Sequence, residues 1–181
     1  MIFAFEGIDG AGKTTLLEKV YDELKARGVR VFKTYEPFGE YRKMLKRKTP
    51  RDPLEKFFLL MACRAQMQDY YKRNKDNIVL VDRYIYSTYA YQIPAGVDVD
   101  LIEYANYDFI EPNLTFWLDT PIEECQRRLE KRGRDNDDDY SVGHAQSIRR
   151  EYENLFECNY NILKVSEDQV ELIADTIERY I

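Results

Sequence analysis

One stretch near the start of the chain, Glu6-Gly7-Ile8-Asp9-Gly10-Ala11-Gly12-Lys13-Thr14-Thr15, constrains the fold more than any other. It fits the pattern G-x-x-x-x-G-K-S/T, with Gly7, Gly12, Lys13 and Thr14 at the fixed places. Glycines let the backbone turn tightly, so that successive N–H groups point into one concavity able to hold an anion. Lys13 can reach back over such a loop toward β- and γ-phosphate oxygens, and the Thr14 hydroxyl is placed to ligate Mg²⁺. A helix beginning near Gly12 adds its positive dipole end beneath the phosphates.

The flanks give this short motif its context. Ile2-Phe3-Ala4-Phe5 is an apolar run of the kind found in a buried parallel strand. After the loop, Leu16, Leu17, Val20 and Leu24 recur at helical spacing with charged residues between them. Strand, glycine loop and amphipathic helix follow in the order that a phosphate-binding loop requires.

Further strands are expected at 29–35, 78–82, 114–119 and 162–165, alternating with helices at about 53–74, 87–92, 99–107, 121–132, 142–159 and 170–177. Asp52 and Pro53 supply the cap and first residue of the longest helix. Pro37 ends strand character after Glu36, and 38–48 is short and basic, enough for a turn or two of helix. This alternation predicts a single α/β domain over 1–181, a P-loop NTPase-type five-stranded parallel sheet with helices on both faces. The polar stretch Gly133-Arg134-Asp135-Asn136-Asp137-Asp138-Asp139 has no periodicity and reads as a mobile loop, a lid at about 132–141.

Ligands of such sheets bind beyond the carboxyl ends of the strands, where Glu36, Asp82, Arg83 and Asp119 are expected to share a rim with the glycine loop. An arginine there suits bidentate holding of a phosphate, the alternative being a salt bridge to Asp82 or Glu36. Arg64, mid-helix among apolar residues, reads equally as a site residue or as a structural ion pair. Arg127 and Lys131 read as a solvated helix face, whereas Arg132 and Arg134 adjoin Gly133, where a loop could swing them over a transferring phosphoryl group. His144 is expected at the surface of the junction between loop and helix.

Composition removes several classes. Lys and Arg number 27 against 33 Asp and Glu, and a net charge of −6 does not favour a long phosphate backbone, so nucleic acid is not expected as a partner. No run approaches the ~18 apolar residues of a membrane span. Cys63, Cys125 and Cys158 lie far apart without metal-ligand spacing, as expected of packing residues in a reduced, cytoplasmic compartment. A strand entered by Ile2 leaves no room for a signal peptide.

Taken together these motifs resemble the thymidylate kinase family of nucleoside monophosphate kinases. Phe5 to Thr15 is similar to that family's P-loop in the version without a loop arginine, since Ala11 fills its variable place. Glu36-Pro37, the Arg64 helix, Leu118-Asp119-Thr120-Pro121 and Arg132-Gly133-Arg134-Asp135 look like its other landmarks. Asp82-Arg83-Tyr84 through Ser87-Thr88 to Ala90-Tyr91-Gln92 resembles its acceptor-site signature, the most specific part.

The resemblance implies transfer of the γ-phosphoryl group of Mg-ATP to the 5′-phosphate of a deoxynucleoside monophosphate, most simply dTMP, by a homodimer. It implies that Gly7, Asp9, Gly10, Ala11, Gly12, Lys13, Thr14 and Thr15 hold ATP, and that Lys13, Arg132 and Arg134 steady the transferred group. Thr14 and Asp9 would serve magnesium, Asp9 also the sugar hydroxyl, and Arg83 would hold the acceptor phosphate. Arg64, Thr88 and Gln92 would face the base, and Tyr91 would crowd a 2′-hydroxyl. Leu60 stands where the family carries an aromatic ring that stacks on the base; Phe57 or Phe38 are rings that could substitute, and Glu36 completes the acceptor side. The nearest rival is a deoxynucleoside kinase, with Glu36 taking the proton of a 5′-hydroxyl. A non-catalytic nucleotide-binding module is the more distant alternative.

Overall fold

The computed structural model describes residues 1–45, 52–133 and 141–181. In chain order these form β1 (Ile2–Glu6), α1 (Lys13–Ala26), β2 (Val31–Tyr35), α2 (Gly39–Leu45), α3 (Pro53–Arg73), β3 (Ile78–Asp82), α4 (Ile85–Gln92), α5 (Val99–Asn106), β4 (Leu114–Leu118), α6 (Ile122–Lys131), α7 (Val142–Cys158), β5 (Ile162–Val165) and α8 (Val170–Glu178). The five strands pair in parallel, as the alternating sequence predicts, and lie in the order β2-β3-β1-β4-β5.

The pleat of β1 shows why its apolar run cannot alternate with polar residues. Phe3 and Phe5 point into a core built with Leu16, Leu17, Val20 and Leu24 of α1, Phe116 of β4 and Ile173 and Ile177 of α8. Ile2 and Ala4 point the other way, into a second core with Met67 and Tyr71 of α3 and Tyr84 and Ile85 at the start of α4. Helices therefore cover both faces, and each fully buried ring or aliphatic side chain contributes roughly 1.5–3 kcal/mol. A third cluster joins Phe57 and Met61 of α3 to Val97 and Ile102. Phe57 thus packs against the α5 region instead of standing in for a base-stacking ring.

Register decides what meets at the top of the sheet. Phe5 of β1 lies opposite Asp82 of β3, and Tyr35 of β2 lies opposite the same residue. Past these pairs the ladder runs on for one bond on each side: Arg83 N–H donates to Phe5 O and Glu36 N–H to Asp82 O, both at 3.0 Å. The three chains thus leave the sheet together, carrying Glu6-Gly7, Asp82-Arg83 and Glu36-Pro37 side by side.

Boundaries differ from the sequence expectation in a few places. The cap and proline forecast for α3 are present: Asp52 accepts from Leu54 N–H at 2.8 Å, with Pro53 at the first position. Pro121 is the cap residue of α6, one place before its first turn. The helix expected from Ser87 begins two residues earlier, at Ile85, because Glu6 accepts from the Tyr84 and Ser87 N–H groups and caps it from another element. Residues 46–51 and the lid stretch 134–140, which includes Arg134, lie outside the described residues.

Candidate active site

The loop between β1 and α1 has the tight backbone its glycines allow. Gly7, Gly10 and Gly12 all have positive φ, and a Cβ at Gly10 would stand 2.5 Å from the Cys125 carbonyl oxygen, so α6 packs directly on the loop. Thr120, after β4, donates to Ala11 O at 2.8 Å and ties the loop from the same side. Lys13 folds back across it and donates to Ile8 O at 2.8 Å. Its ammonium is buried, which brings its pKa down to about 8, with the Arg83 cation adding to the effect.

Arg83 is the one non-glycine among the described residues with a positive φ, at 66°. This left-handed turn, one residue past β3, directs the guanidinium toward the loop. There it donates to Gly7 O at 3.5 Å, Ser87 Oγ at 3.2 Å and Tyr91 Oη at 3.0 Å, lies 4.8 Å from the Tyr91 ring centre, and pairs with Asp9. Burial opposes its charge, but Asp9 and the other anionic neighbours outweigh that and hold its pKa well above the ordinary arginine value. Its salt-bridge partner is therefore Asp9, and not the Asp82 or Glu36 weighed from sequence.

Asp9 and Thr14 are not neighbours of the same kind. Asp9 is engaged by Arg83 and by Tyr91, whose hydroxyl donates to it at 3.1 Å. The Thr14 hydroxyl instead donates to Asp82 at the end of β3. A hydroxyl beside a carboxylate is the oxygen donor set that a hard cation takes up together with phosphate oxygens. Sequence reasoning placed Asp82 on the rim but did not pair it with Thr14, although an acidic residue ending a buried strand was the available signal.

On the acceptor side, Arg64 is at once a buried ion pair and a lining residue. Its Nε donates to Glu36 at 3.0 Å, Nη1 to Thr88 Oγ1 at 2.9 Å and Asn106 Oδ1 at 2.8 Å, and Nη2 to the Tyr84 carbonyl at 2.9 Å. Tyr71 adds a hydroxyl to Glu36 at 3.3 Å. Burial raises the Glu36 pKa above the usual carboxylate value, and the Arg64 charge works against that rise. Gln92 is buried, and its Oε1 has no hydrogen-bond partner among the described residues.

These groups share one cleft of about 810 Å³. Asp9, Gly10, Gly12, Lys13, Thr14 and Thr15 line one part of it, and Leu60, Arg64, Arg83, Thr88, Tyr91 and Gln92 line the other, with Glu36, Asp82 and Arg132 also in the wall. The size suits two nucleotide phosphates meeting between two sugars. Phe38 does not line the cleft; it packs with the second core and lies 6.4 Å from the Tyr41 ring. Asp119, expected on the rim, is instead an anchor: Arg149 of α7 holds it at 2.6 and 2.9 Å and Lys164 of β5 at 2.5 Å. Burial works to raise its pKa, but hydrogen bonds from Arg149 and Lys164 prevail and hold the carboxyl below its usual range.

A family model for thymidylate kinase matches residues 5–177. The chain belongs to the thymidylate kinase family. It is 37% identical over 177 residues to a probable thymidylate kinase of Sulfurisphaera tokodaii, covering 97% of this chain and 93% of that protein. A thymidylate kinase of Acinetobacter baylyi is 34% identical over 172 residues, 87% of this chain and 85% of its own. A probable thymidylate kinase of Sulfolobus acidocaldarius is 32% identical over 181 residues, covering 97% and 93%. The family match spans the P-loop, the Asp82-Arg83-Tyr84 turn and the helices that carry Arg64 and Gln92.

Proposed function

We propose that the cleft receives ATP and dTMP end to end and passes the γ-phosphoryl group to the 5′-phosphate of dTMP, giving ADP and dTDP. Family membership makes the protein an ATP-dependent kinase of thymidylate. The observation that carries the assignment of roles is that Lys13, at the start of α1, and Arg83, one residue past β3, line one cleft.

The chemistry needs alignment and charge neutralisation and no covalent intermediate. The P-loop amides and Lys13 hold the β- and γ-phosphates of the donor. Arg83 exchanges its Asp9 partner for the acceptor phosphate, and the Asp9 carboxylate, still held by Tyr91, accepts the sugar hydroxyl. Thr14 and Asp82 are the residues that would hold Mg²⁺, which would supply further neutralisation of the phosphates. Arg132, in the cleft wall, steadies the γ-phosphoryl group as it moves.

The base lies over Leu60, with the unpaired Gln92 Oε1 available to accept the N3–H of thymine, a donor that cytosine lacks. Arg64 holds Thr88 and the Glu36-Pro37 corner beneath it, and Tyr91 crowds the 2′ position. Glu36 already receives Arg64 and Tyr71, so it is an anchor here and not the base of a nucleoside kinase. With ATP fixed, dTMP should be phosphorylated and thymidine should not; turnover of thymidine alone would reverse the reading.

Assembly as a homodimer is part of the same proposal and is supported by exposed Leu54 and Phe58 on α3. Light scattering of the purified chain tests it, a monomeric mass being the contrary result. We infer a cytoplasmic setting from three free thiols, and no helix described is long and apolar enough to cross a membrane. The net charge of −6 supports small nucleotides over nucleic acid as partners.

A further inference from the structure

Glu6 and Tyr152 are buried behind the cleft and take no part in the roles above. Glu6 ends β1 directly before the P-loop and is wholly enclosed. One of its oxygens accepts from Tyr84 N–H at 2.8 Å and Ser87 N–H at 3.0 Å, the amides that open α4. Its other oxygen accepts the Tyr152 hydroxyl of α7 at 3.0 Å and the Ser87 hydroxyl.

Two consequences meet at Arg83. The residue immediately before the capped amide is held in a left-handed backbone conformation that side-chain-bearing residues rarely adopt. The Ser87 hydroxyl donates to Glu6, lies 2.9 Å from the Tyr152 hydroxyl, and accepts from Arg83 Nη1 at 3.2 Å. We propose that Glu6 is the positioning residue for Arg83, aiming the guanidinium at the acceptor phosphate through the α4 amides and the Ser87 hydroxyl. The proposal rests on Arg83 holding that phosphate.

Steady-state kinetics of the full chain, with ATP and dTMP varied in turn, tests both statements separately. Glu6→Gln keeps the size and one acceptor oxygen but sets an amide donor against Ser87, reversing the hydroxyl that faces Arg83. It should raise the KM for dTMP about tenfold while the KM for ATP stays within about twofold. Added to Arg83→Ala it should change the dTMP KM by less than about twofold, because it acts only through the group already removed. An unchanged dTMP KM in Glu6→Gln, equal rises for both substrates, or a full tenfold further loss in the double variant would overturn the proposal. If Arg83→Ala alone leaves the dTMP KM unchanged, it is the role of Arg83 that fails. Should Glu6→Gln not fold, Ser87→Ala, which removes only the relay hydroxyl, carries the same expectations and the same contrary outcomes.

Discussion

Lys13 is a cation held where burial disfavours its charge, and that tension has a measurable sign. Its pKa in the folded protein is about 8 against 10.5 ordinarily, so the free enzyme loses this charge as pH rises past about 8. The kcat/KM for ATP should therefore fall above that pH, while kcat, set in the complex where phosphates favour the ammonium, should hold to higher pH. The unfolded chain keeps the proton longer, so the same group opposes folding below about 8 and that opposition fades between 8 and 10.5. A flat profile of kcat/KM for ATP from pH 7 to 9.5 would contradict the burial argument. Lys13→Ala should lower kcat by about 10²–10³-fold, as loss of a donor to developing phosphate charge does elsewhere. Arg83→Ala should act chiefly on the KM for dTMP, by about ten- to a hundredfold, as expected for losing a charge-assisted contact. Equal, small effects of the two in steady-state assays would reject the roles given to them.

At the scale of elements, local pattern was legible and long-range pairing was not. The strands, the Asp52-Pro53 start of α3 and the glycine loop all carry their cause within a few residues of sequence, and all stand within two residues of where the sequence put them. The early start of α4 was not readable, since its cap comes from Glu6, some eighty residues away. Asp119 looked like a site residue because it ends a buried strand, yet the partners that take it, Arg149 and Lys164, belong to elements thirty or more residues on. Asp119→Ala should free α7 from β4 and β5 at a cost of about 1–3 kcal/mol, with faster amide exchange along α7 in hydrogen-exchange measurements. Exchange unchanged in α7 would contradict its role as an anchor. Arg64 was left open between ion pair and site residue, and the structure makes it a buried ion pair in the wall of the cleft. Removing Glu36 as Glu36→Ala strands the buried guanidinium, and urea unfolding should show a loss of about 3–5 kcal/mol. A loss under about 1 kcal/mol would mean that water or another group replaces the carboxylate.

For the molecule as a whole, the parallel order β2-β3-β1-β4-β5 makes two sites into one. Because β3 pairs with β1, the glycine loop and the turn that carries Arg83 leave the sheet as neighbours, and residues of helices α3 and α4 line the same cleft. Seven basic residues line it, Lys13, Lys33, Arg42, Lys56, Arg64, Arg83 and Arg132, against the four carboxylates of Asp9, Glu18, Glu36 and Asp82, so a chain whose net charge is −6 concentrates positive charge in the cleft. The most direct test uses a single molecule that spans both halves, adenosine and thymidine joined through their 5′-oxygens by a chain of five phosphates. Isothermal titration should show one such conjugate bound per chain, displaced by either ATP or dTMP, with affinity weakened in both Lys13→Ala and Arg83→Ala. Displacement by only one of the two nucleotides, or an affinity indifferent to one of the two substitutions, would mean that Lys13 and Arg83 do not serve a common line of phosphates.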